Sequence, residues 1–307
     1  MQSRCRKIVF ISILTIFCSS FSAFAQMTST NFQIVWDEFN SGGGETSSSA
    51  SYELRDSVSG SASTRTEGTA YDLDAGYRAS IYDRVADFEI FMQDRSSQVA
   101  ATLLAGQVVT VTTTSGFSVG QMIALISNEG GSQIEAIGKI TNIDTILNKI
   151  TTDAWQVGAG GAPSIDGSND YVYALDSSSI SLGTLSTSIV ATALVAWEVS
   201  AEVSDGYSVY IYEDQGLTNG TDTITDVSDG TVTAGVSEYG ARSSDTSLSS
   251  TFDTQDTAIT TTLEQVGSRS DVSFDSRDFL TLKTAISGLE SAGSYSHTLT
   301  LIYVGDY

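Results

Sequence analysis

The chain has 307 residues, 14 basic against 37 acidic, a net charge of −23, two cysteines, one histidine and one proline. So acidic a chain lacks the basic patches that nucleic acid or anionic lipid would need, and one histidine cannot build a histidine-rich metal site. The excess of carboxylates favours solubility and self-repulsion, which divalent cations would relieve on close packing.

Residues 1–25 read as a secretory signal peptide. Arg4, Arg6 and Lys7 precede the apolar run Ile8 to Phe17, and Ala23-Phe24-Ala25 supplies the small-residue cleavage pattern. The apolar run is too short for a comfortable membrane span. Cleavage after Ala25 would remove both cysteines, Cys5 and Cys18, and three basic residues, leaving 11 basic against 37 acidic, a net of −26. A mature chain without thiols excludes disulfides, zinc-thiolate centres and cysteine nucleophiles. No later stretch is apolar enough to span a membrane, so the expected location is extracellular or at the cell surface.

Residues 26–85 form a strand-repeat segment. Ser29 to Ile34, Ser49 to Leu54 and Gly68 to Leu73 each carry small polar residues, then an aromatic, one polar residue and an aliphatic. Their aromatics Phe32, Tyr52 and Tyr71 recur at 20 and 19 residues. Short strands of this kind need partners to bury their apolar face. Phe32, Ile34 and Trp36 alternate on one face and make the first copy a candidate donor strand for a neighbouring molecule. The copies at Tyr52 and Tyr71 are expected to pair as a hairpin within their own subunit. Asp72-x-Asp74 reads as a solvated strand face.

Residues 86–177 are expected to form a small β-barrel or compact sheet. Val109, Val111 and Thr113 alternate, and Thr145-Ile146-Leu147 is flanked by Lys139–Asp144 and Asn148–Thr152, a hairpin signal. Two loops follow, Gly158–Pro163 and Asp166–Asp170. Asp166, Asn169 and Asp170 make the second a candidate calcium site, although it lacks the spacing and distal glutamate of an EF-hand. The run Val-Thr-Val-Thr-x-x-Ser-Gly-Phe-Ser-Val-Gly-Gln with a later Lys-Ile-Thr-x-Ile-Asp resembles small β modules inserted in phage fibre and bacterial surface proteins, which implies a spacer or display role.

Residues 178–307 are expected to form an antiparallel β-sandwich of immunoglobulin-like or jelly-roll-like type. Val195, Trp197, Val199, Ala201 and Val203 share one strand face, and Glu198, Ser200, Glu202 and Ser204 the other, so one face should be buried and one wet. Asp205-Gly206 turns into a strand with Tyr207, Val209 and Ile211 inward, and Tyr210 and Tyr212 outward. Leu280, Leu282 and Ile286, then Leu299, Leu301 and Tyr303, supply two further strands. Ser181 to Leu185, the Trp197 strand, Asp205 to Tyr210 and Ala292 to Leu301 together resemble the C-terminal sandwich of secreted bacterial surface proteins, of WxL-like, spore-coat-like and pilin-like kind. The Ser-x-x-Tyr-x-Leu repeats resemble the head segments of such proteins. The Trp-x-Leu pair itself is missing.

Few residues of the chain point to chemistry. His297 stands without a Gly-x-Ser-x-Gly nucleophile elbow and is expected to be structural. No phosphate loop or dinucleotide fingerprint is present. Tyr210 and Tyr212 are the candidate ligand-stacking residues, since flat aromatics suit sugar rings. The reading is a non-enzymatic structural subunit of a surface filament, pilus-like fibre or coat, self-associating by strand addition and without a cofactor, calcium excepted. The alternative is a monomeric adhesin or carbohydrate-binding protein.

Overall fold

The computed structural model describes residues 47–48, 53–54, 65–66, 73–74 and 86–306, apart from 202 and 204. The chain divides into two compact units, Met1–Asp83 and Arg84–Tyr307. In the first, β1 (Ser47–Ser48) pairs with β2 (Glu53–Leu54), and β3 (Arg65–Thr66) with β4 (Leu73–Asp74), both antiparallel. The expected pairing of the second and third repeats with each other is therefore replaced, among the described residues, by two local pairs. Phe32, Ile34 and Trp36 lie outside the described residues.

The second unit is all-β. Its strands are β5 (Asp87–Met92), β6 (Val99–Ala105), β7 (Val108–Val111), β8 (Met122–Ser127), β9 (Ile134–Asp144), β10 (Lys149–Thr152), β11 (Gln156–Val157) and β12 (Tyr171–Ala174). There follow β13 (Ala191–Ala201), β14 (Tyr207–Glu213), β15 (Glu238–Ser243), β16 (Glu264–Arg269), β17 (Ser273–Ala285) and β18 (Leu299–Gly305).

Strands β6, β7, β10, β9, β8 and β12 pair antiparallel in that order, and β12 returns to β6, so the ring closes into a small barrel. Closure leaves these six strands no free edge. The long β9 makes it possible. One of its edges pairs with β8, while the other serves β11 at Ala136–Ile137 and β10 from Ile140 onward. The β9–β10 connection is the expected hairpin, where Asp144 Oδ1 accepts the N–H groups of Ile146 and Leu147 at 2.9 Å. Val109, Val111, Ile123, Leu125, Ile140, Ile150 and Val172 fill the barrel.

Two further sheets form a sandwich. One runs β15-β17-β13-β5 and the other β16-β14-β18, all antiparallel. Val195, Trp197 and Val199 from one sheet meet Tyr207, Val209 and Ile211 from the other, all at most 1% exposed. The Asp205-Gly206 turn into β14 needs glycine: Gly206 has φ +84°, and a Cβ there would lie 1.8 Å from the Arg269 carbonyl oxygen.

Strand β5 precedes the barrel in sequence, inside the stretch assigned to the small β module, yet it pairs with β13 in the sandwich. The barrel is thus inserted between two neighbouring strands of one sheet. It also covers that sheet. Met122, Ala124, Ile126, Ile137 and Tyr173 pack on Leu194, Ala196 and Phe279. The expected wet face of β13 is therefore dry where the barrel sits: Leu194 and Ala196 are fully buried and Glu198 is 7% exposed. Glu198 is tolerated because Arg277 and Lys139 hold its two oxygens, Lys139 Nζ at 3.0 Å, while Arg277 reaches Asp153 at 2.7 Å.

Candidate functional site

The loop offered for calcium is a backbone clamp. Asp170 is 2% exposed. Its Oδ1 accepts the Asn128 N–H at 3.0 Å, and its Oδ2 accepts those of Asp166 and Gly167 at 2.8 Å. Asp166 Oδ1 accepts the Ser168 N–H at 2.8 Å, and Asn169 takes the left-handed conformation, φ 57°. Loop closure employs these oxygens, as is usual for aspartate in turns. Among the described residues, no group of three or more acidic, histidine or cysteine side chains is placed to hold a metal ion. Asn219 likewise serves its own turn, accepting the N–H groups of Thr221 and Asp222.

His297 belongs to a hydrogen-bonded chain at one end of the sandwich. Its Nδ1 lies 2.9 Å from Glu213 Oε2, and its Nε2 lies 3.1 Å from the Tyr239 hydroxyl, whose ring it meets edge-on. Burial, with Asp226 and Asp214 nearby, pushes the Glu213 carboxyl up to about 7. Burial also lowers the imidazole below its ordinary value and raises the Tyr239 hydroxyl. A phenol so disfavoured as an anion is a poor nucleophile, and the arrangement ties β14, β15 and the approach to β18 together.

Tyr210 and Tyr212 point outward from β14, the middle strand of the three-stranded sheet, and are half-buried. Tyr210 stands opposite Ile302 and Tyr212 opposite Thr300, with Val304 42% exposed further along β18. They form an open, partly apolar sheet face instead of a second core.

The most conspicuous feature is one that strand patterning did not single out. β5 and β18 are the edge strands on the same side of the sandwich, where Phe88 and Tyr303 meet with ring centroids 5.8 Å apart. Phe88, Ile90 and Met92 stand opposite Val199, Trp197 and Val195, so they share the core-facing side of β5. Phe88 and Met92 reach the core, but Ile90 is 42% exposed. On β18, the inward Leu299, Leu301 and Tyr303 are only partly buried. The Ser177 N–H bonds to the Met92 carbonyl at 3.1 Å and closes the end of the β5 edge. Among the described residues, no strand pairs with the outer edge from Asp87 to Phe91, nor with that of β18. The only sequence signal was the alternation Phe88-Glu89-Ile90, which marks a strand but not its place at an edge. Compared with known protein families, curated proteins and solved structures, the chain gives no match.

Proposed function

We propose that this chain is a secreted, non-enzymatic structural subunit of a cell-surface filament, pilus-like fibre or coat, assembled by strand addition. One observation carries the reading: Ile90 faces the sandwich interior, yet is 42% exposed beside a β5 edge that no described strand pairs with. A strand added there would gain a backbone ladder and cover Ile90. The occupant is the segment around Phe32, Ile34 and Trp36 of a neighbouring copy. Its apolar residues recur at the same two-residue spacing as Phe88, Ile90 and Met92. Three alternating side chains could therefore lie one rung away from three alternating partners. The Ser41-Gly42-Gly43-Gly44 linker is composed to let such a segment reach out. Deleting residues 26–40 should leave a folded monomer on size-exclusion chromatography and abolish polymers under the electron microscope. Normal polymers from the truncated chain would sink the proposal.

The second reading is an adhesin, favoured by the open face around Tyr210, Tyr212 and Ile302. It predicts glycan binding by a non-assembling protein, lost on combining Tyr210→Ala with Tyr212→Ala.

A further inference from the structure

At one end of the contact between the barrel and the four-stranded sheet, the two part into a cleft of about 320 Å³. Residues 130–135 and the glycine-rich turn 158–160 form one wall. Thr192, Arg242, Thr281 and Lys283 stand on the other, with Thr231 and Asp256 alongside. This volume is at the lower end of the range for small-molecule sites.

The charges in the cleft are settled, with one exception. Lys283 Nζ lies 2.7 Å from Asp256 Oδ1, while Asp256 Oδ2 accepts the Val232 N–H at 2.9 Å. Gln133 Nε2 donates to Glu135 Oε1 at 2.7 Å, and Gln133 Oε1 accepts the Thr192 hydroxyl at 3.0 Å. Burial raises the Glu135 carboxyl above its ordinary range, though Lys283 opposes this. Arg242 is the exception. The other arginines of residues 86–306 each hold a carboxylate: Arg95 holds Glu129, Arg269 holds Asp278, and Arg277 holds Glu198 and Asp153. No described carboxylate pairs with Arg242, in a chain of net charge −23. It is half-buried and lines the cleft. Its register partner on β17 is Thr281, 3% exposed, whose hydroxyl makes no hydrogen bond within the described residues. The Arg242 nitrogens are not among the buried unpartnered atoms, so they remain open to a ligand, and the planar donor fork matches a carboxylate.

We propose that this cleft binds a small carboxylated sugar of the uronate class, its carboxylate on Arg242 and its hydroxyls on Thr281, Thr192 and the Gln133–Glu135 pair. One unclaimed cation suits a monoanion, whereas Glu135 and Asp256 disfavour a dianion such as phosphate. Four glycines, at 130, 131, 158 and 160, keep side chains out of the facing wall. The site stands apart from the β5 edge and does not rest on the assembly reading.

The test is calorimetric titration of the full chain with sodium D-galacturonate and digalacturonate, with D-galactose, inorganic phosphate and sulfate as further arms. Uronate should bind at least tenfold more tightly than galactose. Arg242→Ala should weaken it at least tenfold with the melting temperature nearly unchanged, since Arg242 holds no partner among the described residues. Arg242→Lys, which keeps the charge but loses the fork, should weaken it severalfold, and decides the matter if the alanine variant does not fold. The proposal is overturned by no uronate binding, by equal binding of galactose, by phosphate or sulfate binding in place of uronate, or by affinity that neither substitution changes.

Discussion

Trp197 and Gly267 meet across the sandwich so closely that a Cβ on Gly267 would lie 2.8 Å from Trp197 Cζ2. The indole is fully buried and cannot swing aside into solvent. Gly267→Ala should therefore cost about 1–3 kcal/mol in chemical denaturation, the usual penalty of overpacking; an unchanged midpoint would mean that the two sheets separate with ease. Asp278 gives a pH prediction. Burial pushes its carboxyl up to about 6, against the pull of Arg269. The folded state then keeps a proton that the unfolded chain has already released above its ordinary value of 3.8. This group's contribution should fall as pH rises from about 4 to 6 and stay flat above, a change of about 2–3 kcal/mol. Asp278→Asn retains the acceptor for Ser244 and Gln156 and should remove that slope. An identical slope in the variant would assign it to another group.

Among the elements, β5 and β13 teach most. The alternation in β13 correctly placed Val195, Trp197 and Val199 inward. It misjudged the other face at Glu198, expected to be wet: a second module packs on Leu194 and Ala196 of the same face, and Glu198 is 7% exposed. Alternation reports how a strand is oriented; what packs on its weaker face is not written in the strand. In β5, Ile90 supplies the prediction at this scale. Ile90→Asp should change monomer stability by no more than about 0.5–1 kcal/mol, as expected for an exposed site. It should nevertheless block assembly as completely as deletion of residues 26–40. Polymers formed by Ile90→Asp would move the added strand away from β5.

At the scale of the molecule, an inserted barrel and a two-sheet sandwich share one apolar layer, Met122, Ile126, Ile137 and Tyr173 against Leu194, Ala196 and Phe279. Charge networks flank it, Glu198 with Arg277 and Lys139 being one. Neither module can open without exposing the other, so residues 84–307 should melt in a single calorimetric transition. Phe279→Ala, which empties a site 2% exposed, should lower that one transition by about 3–5 kcal/mol without splitting it. Two resolved transitions would show that the modules fold separately.

Patterning by itself determined the all-β class, the inward faces of β13, β14 and β18, the β9–β10 hairpin and the Asp205-Gly206 turn, since each is a local matter of period two or of turn chemistry. It also drew attention to Tyr210, Tyr212 and Asp170, but could not say whether their neighbours were solvent, core or backbone N–H groups. Only the tertiary structure decided that β5 joins the sandwich across an inserted barrel, that Ile90 lies at an edge with no described strand beyond it, and that Arg242 faces a cleft with no described carboxylate paired to it. Those facts depend on contacts between residues distant in the chain, such as Ile90 with Trp197, and no local period encodes them.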